Sequence, residues 1–444
     1  MRIASRIRRH HFLTIFGIAI GATGLPPAVA ATSGTIPSTP AQDAAPHQTS
    51  GLELQSLTPI QLDSLVLAAK VWGFTKYHYP TPLDAPRDWD AELLRLLPDL
   101  LASTDLSTTQ NTLAAWLDSL GDPPACDPCA PKPTANVALG ADLGWLDDGT
   151  LLGGHLSAKL KHIYARRTQG PTPFARVAGA GNANLLQEAP YADLAFPDHR
   201  YQILAVFRLW NAVEYWFPYR DHIEESWDAA LREFLPRVAL AASREQYARE
   251  LMAMIARLDD SHANLWSAID LRPPAGKCTV PVKVRWIQGA PTVVARLGDS
   301  ADTPLAAGDV LVAIDGQPVE TLVNLWSPYY GASNEASRRR DLSWSLLRGA
   351  CGPAQVTVRR DTANIDLQVT RVELAADTAS VIYKNDRPGE TFQLLPGPVA
   401  YLKASGWKTA DVPSYLERAE AAGGLVIDLR GYPAEFAVYE LASR

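Results

Sequence analysis

Part of this chain occurs twice, and the second occurrence stands 138 positions after the first without a gap. Trp72, Tyr77, Pro80, Trp89, Asp90, Leu97, Pro98 and Asp122 are among fourteen residues with identical counterparts at that offset, here Trp210, Tyr215, Pro218, Trp227, Asp228, Leu235, Pro236 and Asp260. One ungapped offset requires a single supersecondary unit built twice. Apolar residues at three- and four-residue steps predict helices over 62–77 and 203–217, then over 89–101 and 227–240. Each copy reads as helix, aromatic loop, helix, helix. Their Trp and Leu residues read as core anchors, not as a ligand box.

The copies part at their ends. The second closes on Leu258-Asp259-Asp260-Ser261-His262-Ala263-Asn264, the first on Leu120-Gly121-Asp122-Pro123-Pro124-Ala125-Cys126. Helices alone would be served by either ending. Prolines where Ser261 and His262 stand therefore mark the second ending as the one that keeps polar chemistry.

With 444 residues the chain is too long for one ordinary core. A formal net charge of −7 gives no reason to expect a nucleic-acid partner. Arg2, Arg6, Arg8 and Arg9, the apolar run 12–20 and the small-x-small triplet Ala28-Val29-Ala30 read as a secretory signal over 1–30. The expected location is the periplasm or the outside of the cell, with no membrane span left after cleavage. Residues 31–51, rich in Ala, Pro, Ser and Thr, read as a disordered linker. Of the four cysteines, Cys126 and Cys129 form a CxxC without a second pair at zinc spacing, so neither metal nor other cofactor is expected. A local disulfide there and a bridge between Cys278 and Cys351 suit an oxidising compartment. A redox site at Cys126 and Cys129 is the sharper alternative.

Residues 130–200 read as short strands and turns. After His262 the texture turns to β, with strand candidates at 280–286, 291–297, 310–314 and 354–359. Gly308-Asp309-Val310 runs through a strand into Asp315-Gly316-Gln317-Pro318-Val319. This string resembles a PDZ domain, which captures a peptide C-terminus at a sheet edge. The last segment reads strand (398–403), helix (412–422, with Asp411 a possible cap), strand ending in Asp428-Leu429-Arg430-Gly431-Tyr432-Pro433, and helix (434–443). That pattern suggests a covered, largely parallel α/β sheet of which two strands are visible, and more chain or a partner to complete it.

Asp-Ser-His, a PDZ-like unit and Leu-Val-Ile-Asp-Leu-Arg-Gly-Tyr-Pro, in that order, resemble the tail-specific (carboxy-terminal processing) and tricorn-like serine peptidases, over roughly residue 200 to the end. The resemblance implies a mixed α and β multidomain protein. Its parts would be a first helical repeat with a mixed insertion over 52–200, a second repeat over 201–272, a PDZ-like domain over 273–375 and the start of a crotonase/ClpP-like α/β peptidase core over 376–444. It implies hydrolysis of polypeptides, with His262 as base and Ser261 orienting it or its surroundings. It further implies Gly308 and Asp309 in peptide binding and an oxyanion turn at Gly431 and Ala434, where Ala434-Glu435 replaces the family's glycine pair. No residue here matches the family's nucleophile. Ser443 alone follows the turn, at the end of a predicted helix, so the expectation is a chain that stops before the catalytic serine. The competing expectation is a non-catalytic PDZ-type protein that binds peptide C-termini.

Overall fold

The computed structural model describes residues 52–126, 129–130, 140–167, 172–177, 183–194, 196–298, 303–375, 383 and 385–443. The signal-like segment and the linker lie outside them. The chain divides into two compact units: residues up to Pro273 together with Pro328–Arg338, and Pro274–Ser327 together with Arg339–Arg444.

In the first unit, helices α1 (Pro59–His78), α2 (Trp89–Leu101) and α3 (Leu106–Ser119) precede α4 (Gly149–Ala165) and a short hairpin, β1 (Ala175–Val177) and β2 (Ala183–Leu185). Then come α5 (His199–Trp216), α6 (Trp227–Ala239) and α7 (Arg244–Ala256). The 138-residue offset carries α1–α3 onto α5–α7. Local chemistry sets the ends. Thr58 and Gln61 form a reciprocal capping box at α1. Asp88, Asp105, Ser226 and Ser243 each accept an amide from the first turn of α2, α3, α6 and α7. One hydrogen bond recurs in both copies: Trp72 Nε1 donates to the Trp89 carbonyl (2.8 Å) and Trp210 Nε1 to that of Trp227 (2.9 Å).

The copies meet through reciprocal contacts. Lys70 pairs with Asp228 and Arg208 with Asp90, and the offset relates 70 to 208 and 90 to 228. Tyr77 lies on its own counterpart Tyr215, with ring centres 5.0 Å apart. Gly73 lies against its counterpart Asn211, whose amide donates to the carbonyls of Ala69 (3.0 Å) and Phe207 (2.9 Å). Contacts exchanged in this way are those of an isologous interface, here within one chain.

Residues 130–200 hold more helix than expected. In α4, Leu152, Leu156, Leu160 and Ile163 form a buried stripe at helical spacing, and Gly153, at φ +65°, kinks its first turn. Glycines at 149, 153 and 154 broke up a periodic signal that was present.

The second unit begins with β3 (Val282–Ile287), β4 (Ala290–Arg296), β5 (Val310–Ile314), β6 (Gln317–Pro318) and α8 (Val319–Trp326). Helix α9 (Glu335–Ser345), which enters this unit at Arg339, leads into the long hairpin β7 (Gly352–Arg360) and β8 (Ala363–Arg371). The sheet is antiparallel in the order β3-β4-β5-β7-β8, with β6 paired to β5. Asp315 and Gly316, both at positive φ, make the tight β5–β6 turn. An isolated bridge from Thr279 to Val372 ties the ends of the sheet together beside the Cys278–Cys351 disulfide.

A second sheet in this unit contains β9 (Phe392–Leu395), β10 (Val399–Lys403) and β11 (Gly424–Asp428), in the order β11-β10-β9. Helix α10 (Val412–Glu420) joins the parallel pair β10 and β11, and Val412 and Tyr415 pack with Phe392, Leu402 and Trp407. Three findings correct the expectation here. A third strand, β9, pairs antiparallel with β10. The final helix, α11, is confined to Val438–Ala442. Asp411 makes no side-chain cap and accepts from the Tyr415 hydroxyl instead (3.4 Å). The architecture is mixed α and β, and no helix among the described residues is long and apolar enough to cross a membrane.

Candidate functional site

The second copy of the repeat ends in a turn that presents a histidine. After α7, buried Leu258 anchors the chain and Asp259 takes φ +51°, which turns it sharply. Asp260 Oδ1 then accepts the His262 amide (2.9 Å) and stands 3.1 Å from His262 Nδ1. One carboxylate oxygen therefore fixes both the backbone and the ring of the same residue. The imidazole is 82% exposed, while Asp260 is 26% exposed. With Nδ1–H donating to Asp260, the lone pair lies on Nε2.

Ser261 faces elsewhere. Its Oγ accepts the Ser333 amide (3.3 Å) and lies 3.5 Å from Ser333 Oγ. The segment that carries Ser333 packs closely on the turn: a Cβ on Gly331 would come within 3.1 Å of the Asp260 carbonyl oxygen. Tyr330 adds a hydrogen bond to the Pro273 carbonyl (2.9 Å). Of the two expected roles of Ser261, orienting the imidazole falls to Asp260, while Ser261 holds the segment that returns beside the turn. Asp260 is the residue of the Asp-Ser-His string to which the family resemblance attaches no role. Its place two residues before a histidine, where its carboxylate can reach back to the amide, was the available signal.

The first copy offers a comparison. Asp122, the counterpart of Asp260, also holds an imidazole, through His162 Nε2 at 2.8 Å, and pairs with Arg166 at 3.0 Å. The donated His162 and Arg166 hydrogens hold the Asp122 carboxyl below its ordinary range. That histidine comes from α4, whereas His262 comes from the turn itself.

Gly308, Asp309, Gly431 and Ala434 belong to the second unit. Gly308 takes φ +98° and donates its amide to the Val293 carbonyl (2.9 Å). Asp309 is buried, receives both Arg360 Nε (2.7 Å) and Nη2 (2.8 Å), and accepts the Ala306 amide (2.8 Å). Arg360 depresses its pKa. Asp309 thus locks a loop, and its oxygens are occupied by the protein itself, contrary to a peptide-binding role for this side chain.

At the end of β11, Asp428 accepts Arg430 Nε (2.9 Å), Arg430 Nη2 (2.7 Å) and the Tyr401 hydroxyl (2.5 Å). Arg430 is the main reason that the Asp428 carboxyl titrates well below its usual range. Ala434 does not offer its amide to a ligand, because that N–H donates to the Ala404 carbonyl (3.0 Å). Gly431 has no room for a side chain: a Cβ there would lie 2.9 Å from Asp386 Oδ2. Glu435 accepts the Thr409 amide (2.7 Å), and its carbonyl accepts Trp407 Nε1 (2.7 Å). These contacts also explain why α11 starts late. Two carboxylates and an engaged amide at this turn oppose an oxyanion hole built from Gly431 and Ala434.

Cys126 is bonded to Cys129 and Cys278 to Cys351, with Cα atoms 4.8 and 5.0 Å apart. Among the described residues no group of three His, Cys, Asp or Glu side chains could hold a metal ion.

The chain matches no protein-family model and no curated protein. Among solved structures it is similar to mature CPAF complexed with lactacystin, at TM-score 0.41 and 14% identity, covering 55% of this chain and 59% of that one. Mature CPAF gives TM-score 0.40 and 14% identity, covering 55% and 58%. A CPAF mutant gives TM-score 0.42 and 13% identity, covering 55% and 59%. The chain thus spans less than two thirds of the length of these structures, and no family is assigned on this likeness.

Proposed function

We propose that this chain is part of an exported serine-type endopeptidase of the tail-specific and tricorn-like kind, acting on periplasmic or secreted polypeptides. His262 is the general base and Asp260 its orienting carboxylate. The β3–β8 sheet is a PDZ-type docking unit, and β9–β11 with α10 begin a crotonase/ClpP-like core. The observation that carries this reading is the Asp260–His262 pair, in which one oxygen holds the amide and Nδ1 of an exposed imidazole. A serine hydroxyl is activated by a neutral imidazole whose Nε2 is available and whose Nδ1–H is held by a carboxylate. The ordered Ser261-His262, Gly308-Asp309 and Asp428-Leu429-Arg430 strings support it further. The nucleophile is assigned to no residue of this chain. Ser443 donates to the Glu440 carbonyl of its own helix (2.9 Å).

The test is casein hydrolysis, with fluorophosphonate labelling, by the protein produced from its native gene beside His262→Gln and Asp260→Asn variants. We expect His262→Gln to lower kcat by about 10²- to 10⁴-fold, with Asp260→Asn less severe. Equal hydrolysis by wild type and His262→Gln would sink the assignment of the base. Saturable binding of C-terminal peptides with no hydrolysis would replace it by the non-catalytic PDZ-type reading.

A further inference from the structure

The reciprocal packing of the two repeat copies creates two equivalent sites, and their contents differ. The first is built on Trp72, Lys76, Trp89, Asp90 and Arg208, and the chain fills it itself. Glu188 enters it, 2.5 Å from Lys76 Nζ and 2.7 Å from Arg208 Nε, while the Tyr191 hydroxyl donates to Asp90 (2.8 Å). Lys76 lies over the Trp72 ring at 5.0 Å and Phe174 at 5.8 Å. The Asp90 side chain is left 7% exposed. This site takes a carboxylate between two cations, against aromatic walls.

The offset carries those five positions to Trp210, Glu214, Trp227 and Asp228, with Lys70 in place of Arg208. Here the site is a cavity of about 410 Å³. Among the described residues no counterpart of Glu188 or Tyr191 lines it. Lys70 pairs with Asp228 through Oδ2 (2.7 Å) and stands 5.7 Å from the Trp210 ring centre and 5.9 Å from that of Trp145. Among the described residues Asp228 Oδ1 has no hydrogen bond, and the Asp228 side chain is 56% exposed. The decisive change is Lys76 to Glu214, which reverses the charge of the group facing the occupant. Glu214 accepts Arg220 Nη1 (2.9 Å) and the Asp142 amide (3.2 Å). The whole lining holds six carboxylates against two cations, a formal charge of −4, with three indoles and one phenol.

We propose that this cavity is a binding site for an organic cation carried on an apolar stem, supplied as a lysine or arginine side chain of an extended polypeptide. The excess carboxylates attract the cation, and indole faces stabilise both the cation and the methylene stem. The first site supplies the precedent: there an irregular stretch of this same chain, with Glu188 and Tyr191, occupies the equivalent space with the opposite charge. A pocket volume of this size admits one long side chain with its flanking backbone. The proposal is independent of the peptidase reading, because every residue it uses lies away from Asp260 and His262 in sequence and none is asked to do chemistry.

The test is isothermal titration of the full chain with blocked tripeptides that differ only in their central residue: lysine, arginine, norleucine or glutamate. Spermidine is titrated in parallel. We expect saturable binding of the lysine and arginine peptides, at least tenfold weaker binding of the norleucine peptide, and no binding of the glutamate peptide. Asp228→Asn should weaken the lysine peptide at least fivefold. Trp145→Leu, at a wall residue outside the repeat, should do the same if Asp228→Asn perturbs folding, which far-ultraviolet dichroism will show. Norleucine binding as tight as lysine, or lysine binding unchanged in both folded variants, overturns the proposal. Spermidine binding without peptide binding overturns the polypeptide source.

Discussion

His78 shows at single-residue scale how the repeat core disciplines its polar groups. It lies between Phe74, 4.5 Å away and stacked, and Tyr215, 5.6 Å away and edge-on, with Nδ1 2.9 Å from the Phe74 carbonyl. Burial outweighs that carbonyl and lowers its pKa to about 4. The unfolded chain, near 6.5, binds a proton that the folded chain refuses, so stability rises with pH across this window. It is fully present above pH about 6.5 and is lost as pH falls towards 4, by about 3 kcal/mol for this one group. Chemical denaturation between pH 4 and 7 checks this. A His78→Gln variant should show a correspondingly flatter slope than wild type, and an equal slope would remove His78 as the cause.

At the scale of elements, the crossing of α1 and α5 depends on Gly73. Glycine in a helix interior costs about 1 kcal/mol relative to alanine, so Gly73→Ala should stabilise α1 if only propensity mattered. The Cβ would collide with the Asn211 side chain, which is fully buried and hydrogen-bonded to both helices. Overpacking of this kind costs about 1–3 kcal/mol. We therefore predict net destabilisation of Gly73→Ala in urea, and a double variant with Asn211→Gly that is less destabilised than the sum of the two single changes. Strict additivity would show that the two positions do not share the crossing. The same reciprocity makes the Lys70–Asp228 and Arg208–Asp90 pairs equivalent in place but unequal in environment. One is open to the cavity and the other is sealed by Glu188 and Tyr191.

For the whole molecule, two units with separate cores should not unfold as one. Both ends of the Cys278–Cys351 bridge lie in the second unit at a sequence separation of 73, whereas Cys126 and Cys129 lie in the first at a separation of 3. Loop closure over the longer span restricts the unfolded chain more, by about 2–4 kcal/mol as bridges of this kind are measured. A Cys278→Ser, Cys351→Ser variant should lower one calorimetric transition and leave the other in place, whereas Cys126→Ser, Cys129→Ser should barely move either. A single transition shifted as a whole would show that the units unfold together.

The repeat was legible because one offset preserved both the anchors and the spacing. Trp72, Trp89, Trp210 and Trp227 sit where the periodicity put them, and α2 and α6 begin at the residues it named. The strand candidates after His262 were legible through alternation bounded by turn residues such as Asp315-Gly316. Helix α4 was hidden by its glycines, and β9 is too short to announce itself without its partner β10. Sequence alone determined that one helical unit is built twice, that only the second copy ends in Ser-His, and which strings are carried in which order. Tertiary structure decided which groups those strings meet. It gave the His262 ring to Asp260 and the segment of Ser333 to Ser261, closed Asp309 on Arg360, engaged the Ala434 amide, and filled one of two equivalent sites while, among the described residues, leaving the other as a cavity. The reason is physical: periodicity records which side chains leave water, whereas the partner of a buried or half-buried polar group is set by segments far apart in the chain.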